Sequence, residues 1–281
     1  MTDKPTKNIL FSPVTIRGVT FRNRIGVSSM GQRSDGHGNI TDQHLVISGS
    51  QAMGGAGLVM LGGAAVEPAG RVNRFNIGLW TDEHATNMSR VANYVKSYGA
   101  VPGIQLAHAG RIRFINGGIV NDDQGQSIAP SAIAYSSEHV VPIEATLHDI
   151  ERISNAFVSA ALNAVKAGFQ VIELQFGHGY LMSTFLSPVT NKRSDMYGGS
   201  FENRIRLGLD VATRVRRAVG KDIVVSVKVS VTDYCEGSWD VKHTIEFAKR
   251  LKAIGVDLLN CSSGNVVDGV LNTATNPGAV Q

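Results

Sequence analysis

Three hydrogen-bonding side chains fall within six residues of the stretch GFQVIELQFGHGYLM, residues 168–182: Gln175, His178 and Tyr180. Glycines separate them, and the apolar Val171, Ile172 and Leu174 precede them. An amide, a titratable imidazole and a phenol at the end of an apolar strand suit acid–base work or hydrogen bonding to a ligand. Each also has a plainer reading. A histidine after a strand commonly fixes a turn, and a tyrosine can be an amphipathic wall residue. The choice depends on what else arrives at the same place.

The elements that would position this cluster alternate along the chain. Short apolar runs occur at 24–30, 57–66, 101–107, 169–176, 223–230 and 256–263, and helical patterns at 41–53, 82–98, 149–167, 201–219 and 241–254. The helix at 149–167 places Ile150, Ile153, Phe157, Ala161 and Ala164 on one stripe, with Asp149 in its first turn. Gly99, Gly168, Gly220 and Gly255 punctuate helix ends. Strand–helix alternation with apolar strands implies a parallel sheet covered by helices, hence an α/β fold.

Both a (β/α)8 barrel and an open doubly wound sheet fit that alternation, and the polar residues favour the barrel. Ser29 and Met30, Gly63, Gln105, Gln175 with His178, and Lys228 each lie at the C-terminal end of a successive strand. A barrel brings such points to one mouth, whereas an open sheet spreads them along an edge. About six strand–helix units are present. The expectation is one domain over 1–281, a TIM-type barrel lacking its last two units, with a loop insertion over the mouth at 108–147. A complementing chain or a homo-oligomer is therefore an expected partner.

The bulk properties narrow the function classes. Of 281 residues, 43% are hydrophobic and 18% charged, which suits a soluble globular protein with a large core. The formal charge of +4 is interspersed, with a mild cluster at Arg214 to Lys221, and no nucleic-acid motif accompanies it. Cys235 and Cys261 are far apart without metal-ligand spacing, so neither a disulfide framework nor a zinc site is expected. The polar start MTDKPTKN and the lack of an apolar run near ~20 residues point to a cytoplasmic protein without a membrane span.

The segments LFSPVTIRGVTFRNRI, TDQHLVISGSQAMGGAGLVM, IQLAHAGR and above all GHGYLMSTFLSPVTNKRSDMYGGSFENRIRLGLDVATRVRRAVG resemble the old yellow enzyme family of flavin-dependent oxidoreductases, over about residues 9–266. That family includes ene-reductases and the flavin domain of 2,4-dienoyl-CoA reductases. The resemblance implies a (β/α)8 barrel holding FMN at its mouth, NADPH or NADH as hydride donor, and an enone-like small molecule, an alkene conjugated to a carbonyl, as acceptor. It further implies cofactor contacts from Ser29, Met30, Gly63, Gln105, Gln175 and Lys228. His178, Tyr180 and Gln175 are the implied catalytic set, because hydride addition to an enone builds charge on the carbonyl oxygen and donors aimed there stabilise it. His108 and Arg111, and Asp195, Gly198, Gly199, Glu202, Asn203 and Arg204 in NKRSDMYGGSFENR, are expected to fix loops.

Several positions depart from the family pattern. Gln175 stands where relatives carry the first histidine of a pair, Lys228 where they carry arginine, and Ser29 where they carry proline. Gly31 occupies a cysteine or threonine position, and Arg33 a tyrosine position of one branch. Two other readings therefore stay open. One is a non-redox isomerase or cyclase on the same scaffold using His178 and Tyr180. The other is an inactive fragment, or a subunit that works only with a partner.

Overall fold

The structure is a computed structural model, and it describes residues 8–113 and 126–268. In chain order these form β1 (Val14–Ile16), β2 (Val19–Phe21), β3 (Gly26–Met30), α1 (Asp42–Met53), β4 (Leu58–Ala65), α2 (Asp82–Ser97), β5 (Val101–Ala107), β6 (Ile128–Ala129) and β7 (Ile143–Glu144). There follow α3 (Leu147–Ala167), β8 (Val171–Phe176), α4 (Leu181–Leu186), α5 (Phe201–Arg204), α6 (Arg206–Ala218), β9 (Val224–Ser230), α7 (Val241–Ala253) and β10 (Leu258–Ser262).

Six strands make one parallel sheet in the order β10-β9-β8-β5-β4-β3. The sheet curls into a half-barrel: across its interior, Asn260 of β10 and Lys228 of β9 both donate to the Ser28 hydroxyl of β3, at 3.4 and 3.2 Å. Among the described residues β3 and β10 do not pair with each other. The expected incomplete barrel thus appears as six curled staves.

Strand alternation divides the side chains cleanly. Val59, Leu61, Ile104, Leu106, Ile172, Leu174, Val225 and Val227 face outward and join the helices in the main core. The predicted stripe of α3 is buried throughout, with Phe157 fully enclosed. Burying such a side chain stabilises the fold by roughly 1.5–3 kcal/mol. The α3 start is a reciprocal cap: the Asp149 N–H donates to Thr146 Oγ1 at 3.1 Å, and the Thr146 N–H donates to Asp149 Oδ2 at 3.0 Å.

Inside the barrel the lowest layer is apolar. Val19 and Phe21 of the β1–β2 hairpin pack on Met60, Val101, Val171 and Val224, closing the N-terminal end. This hairpin has no counterpart in the sequence expectation. Above it, strand register sets polar residues side by side: Gln105 opposite Glu173, Glu173 opposite Ser226, and Lys228 between Gln175 and Asn260.

The helix expected over 201–219 is divided into α5 and α6 at the buried Ile205. Helical hydrogen bonds nevertheless run across the division, from the Ile205 N–H to Phe201 O and from the Leu209 N–H to Ile205 O. In the excursion at 108–147, residues 114–125 lie outside the described residues. The rest is tied down, since buried Arg193 donates to the carbonyls of Pro130 and Ala145. No helix among the described residues is long and apolar enough to cross a membrane.

Candidate active site

A cleft of about 420 Å³ opens at the C-terminal ends of the strands. Ser29, Gly63, Gln105, Gln175, His178, Tyr180 and Lys228 all line it, so residues from five strands and the turn after β8 meet there. Met30 is not among these lining residues, and the contact implied for it is one through its backbone. A register shift between Val27 and Met30 turns the Met30 side chain to solvent. Its backbone carbonyl instead packs against Gly62, where a Cβ would lie 2.2 Å away.

The floor is a buried network centred on Glu173. Its carboxylate accepts from Gln105 Nε2 at 2.8 Å, Asn260 Nδ2 at 3.0 Å and Ser226 Oγ at 3.1 Å. Glu173 fixes the Gln105 amide, so the Gln105 Oε1 is the atom displayed toward Gly63 and the cleft. The sequence reading treated Glu173 as part of an apolar run. An acid in the middle of a strand otherwise made of valine, isoleucine and leucine was the available signal.

His178 sits at φ +61 in the turn after β8. Its backbone N–H donates to Ser230 Oγ at 2.8 Å, and its Nε2 lies 2.6 Å from Ser262 Oγ. Gln175 Oε1 accepts from the Gly177 N–H at 3.0 Å, which leaves the Gln175 amide nitrogen facing His178 Nδ1 at 3.5 Å. These partners assign the proton to Nε2, shared with Ser262, and leave Nδ1 as acceptor. Burial, reinforced by the Lys228 charge, lowers the His178 pKa to about 4, so the ring is neutral at neutral pH.

Tyr180 caps α4 at its backbone, and burial raises the pKa of its phenol. Gly179, between the two, has φ +73, and a Cβ there would lie 2.1 Å from the Asn265 carbonyl oxygen. Lys228 is buried and donates to the Ser28 hydroxyl, and among the described residues no carboxylate lines the cleft.

The outer wall comes from a segment that the sequence reading passed over. Gly70, Val72, Asn73, Phe75 and Asn76 line the cleft together with Gln32 and Arg33. Asn76 Nδ2 donates to Gly63 O at 2.7 Å, locking this wall to the end of β4. No local motif marks the segment, which reaches the site only through tertiary folding.

The loop-fixing residues lie as anticipated. His108 Nδ1 accepts from the Gly110 N–H, so its Nε2 carries the proton toward Glu67 at 3.0 Å. Arg111 is buried and donates to the carbonyls of Ile133, Ala134 and Val266. Arg193 pairs with Asp195, Arg204 donates to Leu186 O and Gly199 O, and Glu202 pairs with Arg250 of α7.

The sequence matches the NADH:flavin oxidoreductase / NADH oxidase family over residues 9–281. The chain belongs to that family. An NADPH dehydrogenase of Geobacillus sp. (strain WCH70) is 42% identical over 263 residues, which cover 93% of this chain and 74% of that one. A 2-naphthoyl-CoA reductase solved with 2-naphthoyl-CoA superposes with a TM-score of 0.87 at 27% identity, over 93% of this chain but 41% of that one. An old yellow enzyme homologue from Zymomonas mobilis superposes with a TM-score of 0.79 at 28% identity, over 90% and 73%. The chemistry is that of an NAD(P)H-dependent flavin oxidoreductase of old yellow enzyme type, with FMN as cofactor.

The residues present fit that cofactor. Among the described residues, Gly63, at φ +39, has only Gln105 Oε1 within 4 Å of where a Cβ would stand, and Gly31 has nothing within 4 Å, so these two positions leave room for a flat ring. The cleft lies within the ~300–1,000 Å³ usual for cofactor sites. An amide oxygen, an ammonium and a serine hydroxyl provide the mixed acceptor and donor edge that a flavin ring requires.

Proposed function

We propose that this chain catalyses reduction of an alkene activated by a conjugated carbonyl, with NAD(P)H as the hydride source. When bound, FMN supplies the two-electron carrier between donor and alkene. Gln105, Ser29 and Gly63 would hold its ring edge, and Lys228 would place a cation where negative charge accumulates on reduction.

The observation that carries this reading is electrostatic: two cations, Lys228 and Arg33, and several neutral donors converge on a cleft whose lining, among the described residues, contains no carboxylate. Negative charge developing on a substrate oxygen is favoured in such a place. The Gln175 amide and the His178–Ser262 pair orient the carbonyl. His178 acts as a neutral ring, because burial and the Lys228 charge keep it unprotonated, and it positions the Gln175 amide and the Ser262 hydroxyl rather than donating to the carbonyl itself. Tyr180, whose phenol has no hydrogen bond to a described residue, holds a proton available to the carbon next to the one that receives hydride. Behind the cleft, Glu173 sets the orientation of the Gln105 amide.

The test is spectroscopic. The purified chain with FMN is expected to show flavin bands that bleach anaerobically with NADPH and return on adding 2-cyclohexenone. His178→Ala should lower enone turnover by about 10²-fold, the usual loss for one misplaced donor, because it frees the Gln175 amide that the ring holds, with little change in melting temperature. A colourless protein that takes up no FMN, or a variant that loses stability and keeps turnover, would overturn the proposal.

A further inference from the structure

Beyond the groups that face the reacting carbonyl, the cleft holds a second cation. Arg33 lines its outer wall with the guanidinium 3.9 Å above the Phe75 ring centroid, and the Arg74 guanidinium lies 4.9 Å from the same centroid. Both arginines are exposed, and neither has a carboxylate partner among the described residues. The aromatic anchor itself is built in. The Ser34 N–H donates to Phe75 O at 2.7 Å, and the Phe75 N–H donates to Asn73 Oδ1 at 2.9 Å. Two loops are thereby held in register so that one ring carries both guanidiniums.

Stacking on an aromatic face orients a guanidinium without using its N–H donors. Arg33 therefore presents a full donor fork to a cleft with no acid among its described lining residues, and a long side chain that solvent would otherwise disorder is held ready. Lys228 is assigned to the cofactor in the reading above, and that leaves the Arg33 charge without a ligand.

We propose that Arg33, supported by Arg74 and Phe75, binds an anionic group on the substrate, a carboxylate carried on the activated alkene away from the carbonyl that faces Gln175 and His178. The proposal rests on the alkene-reductase reading of this cleft and names the substrate class for it.

The test compares (E)-4-oxopent-2-enoate with its methyl ester in NADPH-driven reduction by the FMN-loaded chain. The acid is expected to be the better substrate, and Arg33→Gln should lower the acid-to-ester ratio of kcat/KM by about 10- to 100-fold, the worth of one charge-assisted fork. Arg33→Lys should recover part of the ratio and Arg74→Gln should lower it less. Added salt should shrink the preference. An equal loss on acid and ester would overturn the proposal. So would a rise in the KM for NADPH as large as the loss on the acid, which would give this lip to the phosphates of the hydride donor. Calorimetric titration with 4-oxopentanoate, run without hydride donor, keeps the two readings separate. If neither alkene is reduced but 4-oxopentanoate binds the parent and not Arg33→Gln, the alkene reading fails and the anion site stands. If the parent does not bind it, the anion site fails.

Discussion

Replacing Glu173 with alanine would strip the acceptor from Gln105 Nε2, Asn260 Nδ2 and Ser226 Oγ in one step. A buried donor left without a partner costs about 1–3 kcal/mol. The three do not weigh equally. Gln105 is only 4% exposed and has no other acceptor among the described residues, so it bears the full penalty. The Ser226 hydroxyl can rotate, and the half-buried Asn260 can turn toward water or Ser28, 3.4 Å away. Removing a buried acid returns part of its desolvation penalty. The net loss should be about 2–4 kcal/mol, or roughly 3–7 °C in melting temperature for a chain of this size. Glu173→Gln keeps the oxygen that serves Gln105 and turns an N–H toward Ser226, which accepts it, so only the contact with Asn260 is lost. That variant should cost less than half as much. The assay is thermal unfolding followed by circular dichroism, with FMN affinity by fluorescence in parallel. Released from Glu173, the Gln105 amide should weaken flavin binding by about tenfold. An alanine variant that melts within a degree of the parent and binds FMN equally well would refute the role given to this carboxylate.

Two further outcomes are expected. His178, held near 4 against an ordinary 6.5, makes the fold lose stability as pH falls between those values, because the unfolded chain takes up a proton that the folded one refuses. Asp233, pushed up by burial from 3.8 to about 6, acts in the opposite direction, since the folded chain holds its proton and stability falls as pH rises through that window. Asp233→Asn should therefore steepen the rise of melting temperature with pH between about 4 and 6, and an unchanged slope would count against this opposition. Gly179→Ala should cost at least about 2 kcal/mol by urea unfolding, combining a positive φ with an overlap onto Asn265 O. Gly199→Ala, at a similar φ of +77 with nothing within 4 Å, should cost about 1 kcal/mol, and equal midpoints for the two would remove the steric argument.

Much of this architecture is legible from residue pattern. The six barrel strands lie within the apolar runs, because outward faces of valine, leucine and isoleucine leave a strong local signal. Polar residues at successive strand ends point to one mouth because parallel staves end at the same level. What escaped depends on distance in sequence. Strands of three residues at 14–21 are too short to show a period, so the plug under the barrel went unseen. Glu173 was submerged by its neighbours, although alternation alone turns it inward. Phe75 and Asn76 carry no motif and meet the site only when the segment after β4 folds back onto Gly63. The irregularity in β3 beside the exposed Met30 side chain likewise leaves no trace in the residue pattern.

The Ser28 hydroxyl, which accepts from both Lys228 and Asn260, ties the outermost staves of the sheet through side chains rather than through backbone pairing. An anion that draws the Lys228 ammonium toward the mouth must loosen its hold on Ser28. Occupancy of the cleft and curvature of the sheet are then one degree of freedom, and amide exchange along β3 should register what happens at the ammonium on the opposite side of the interior.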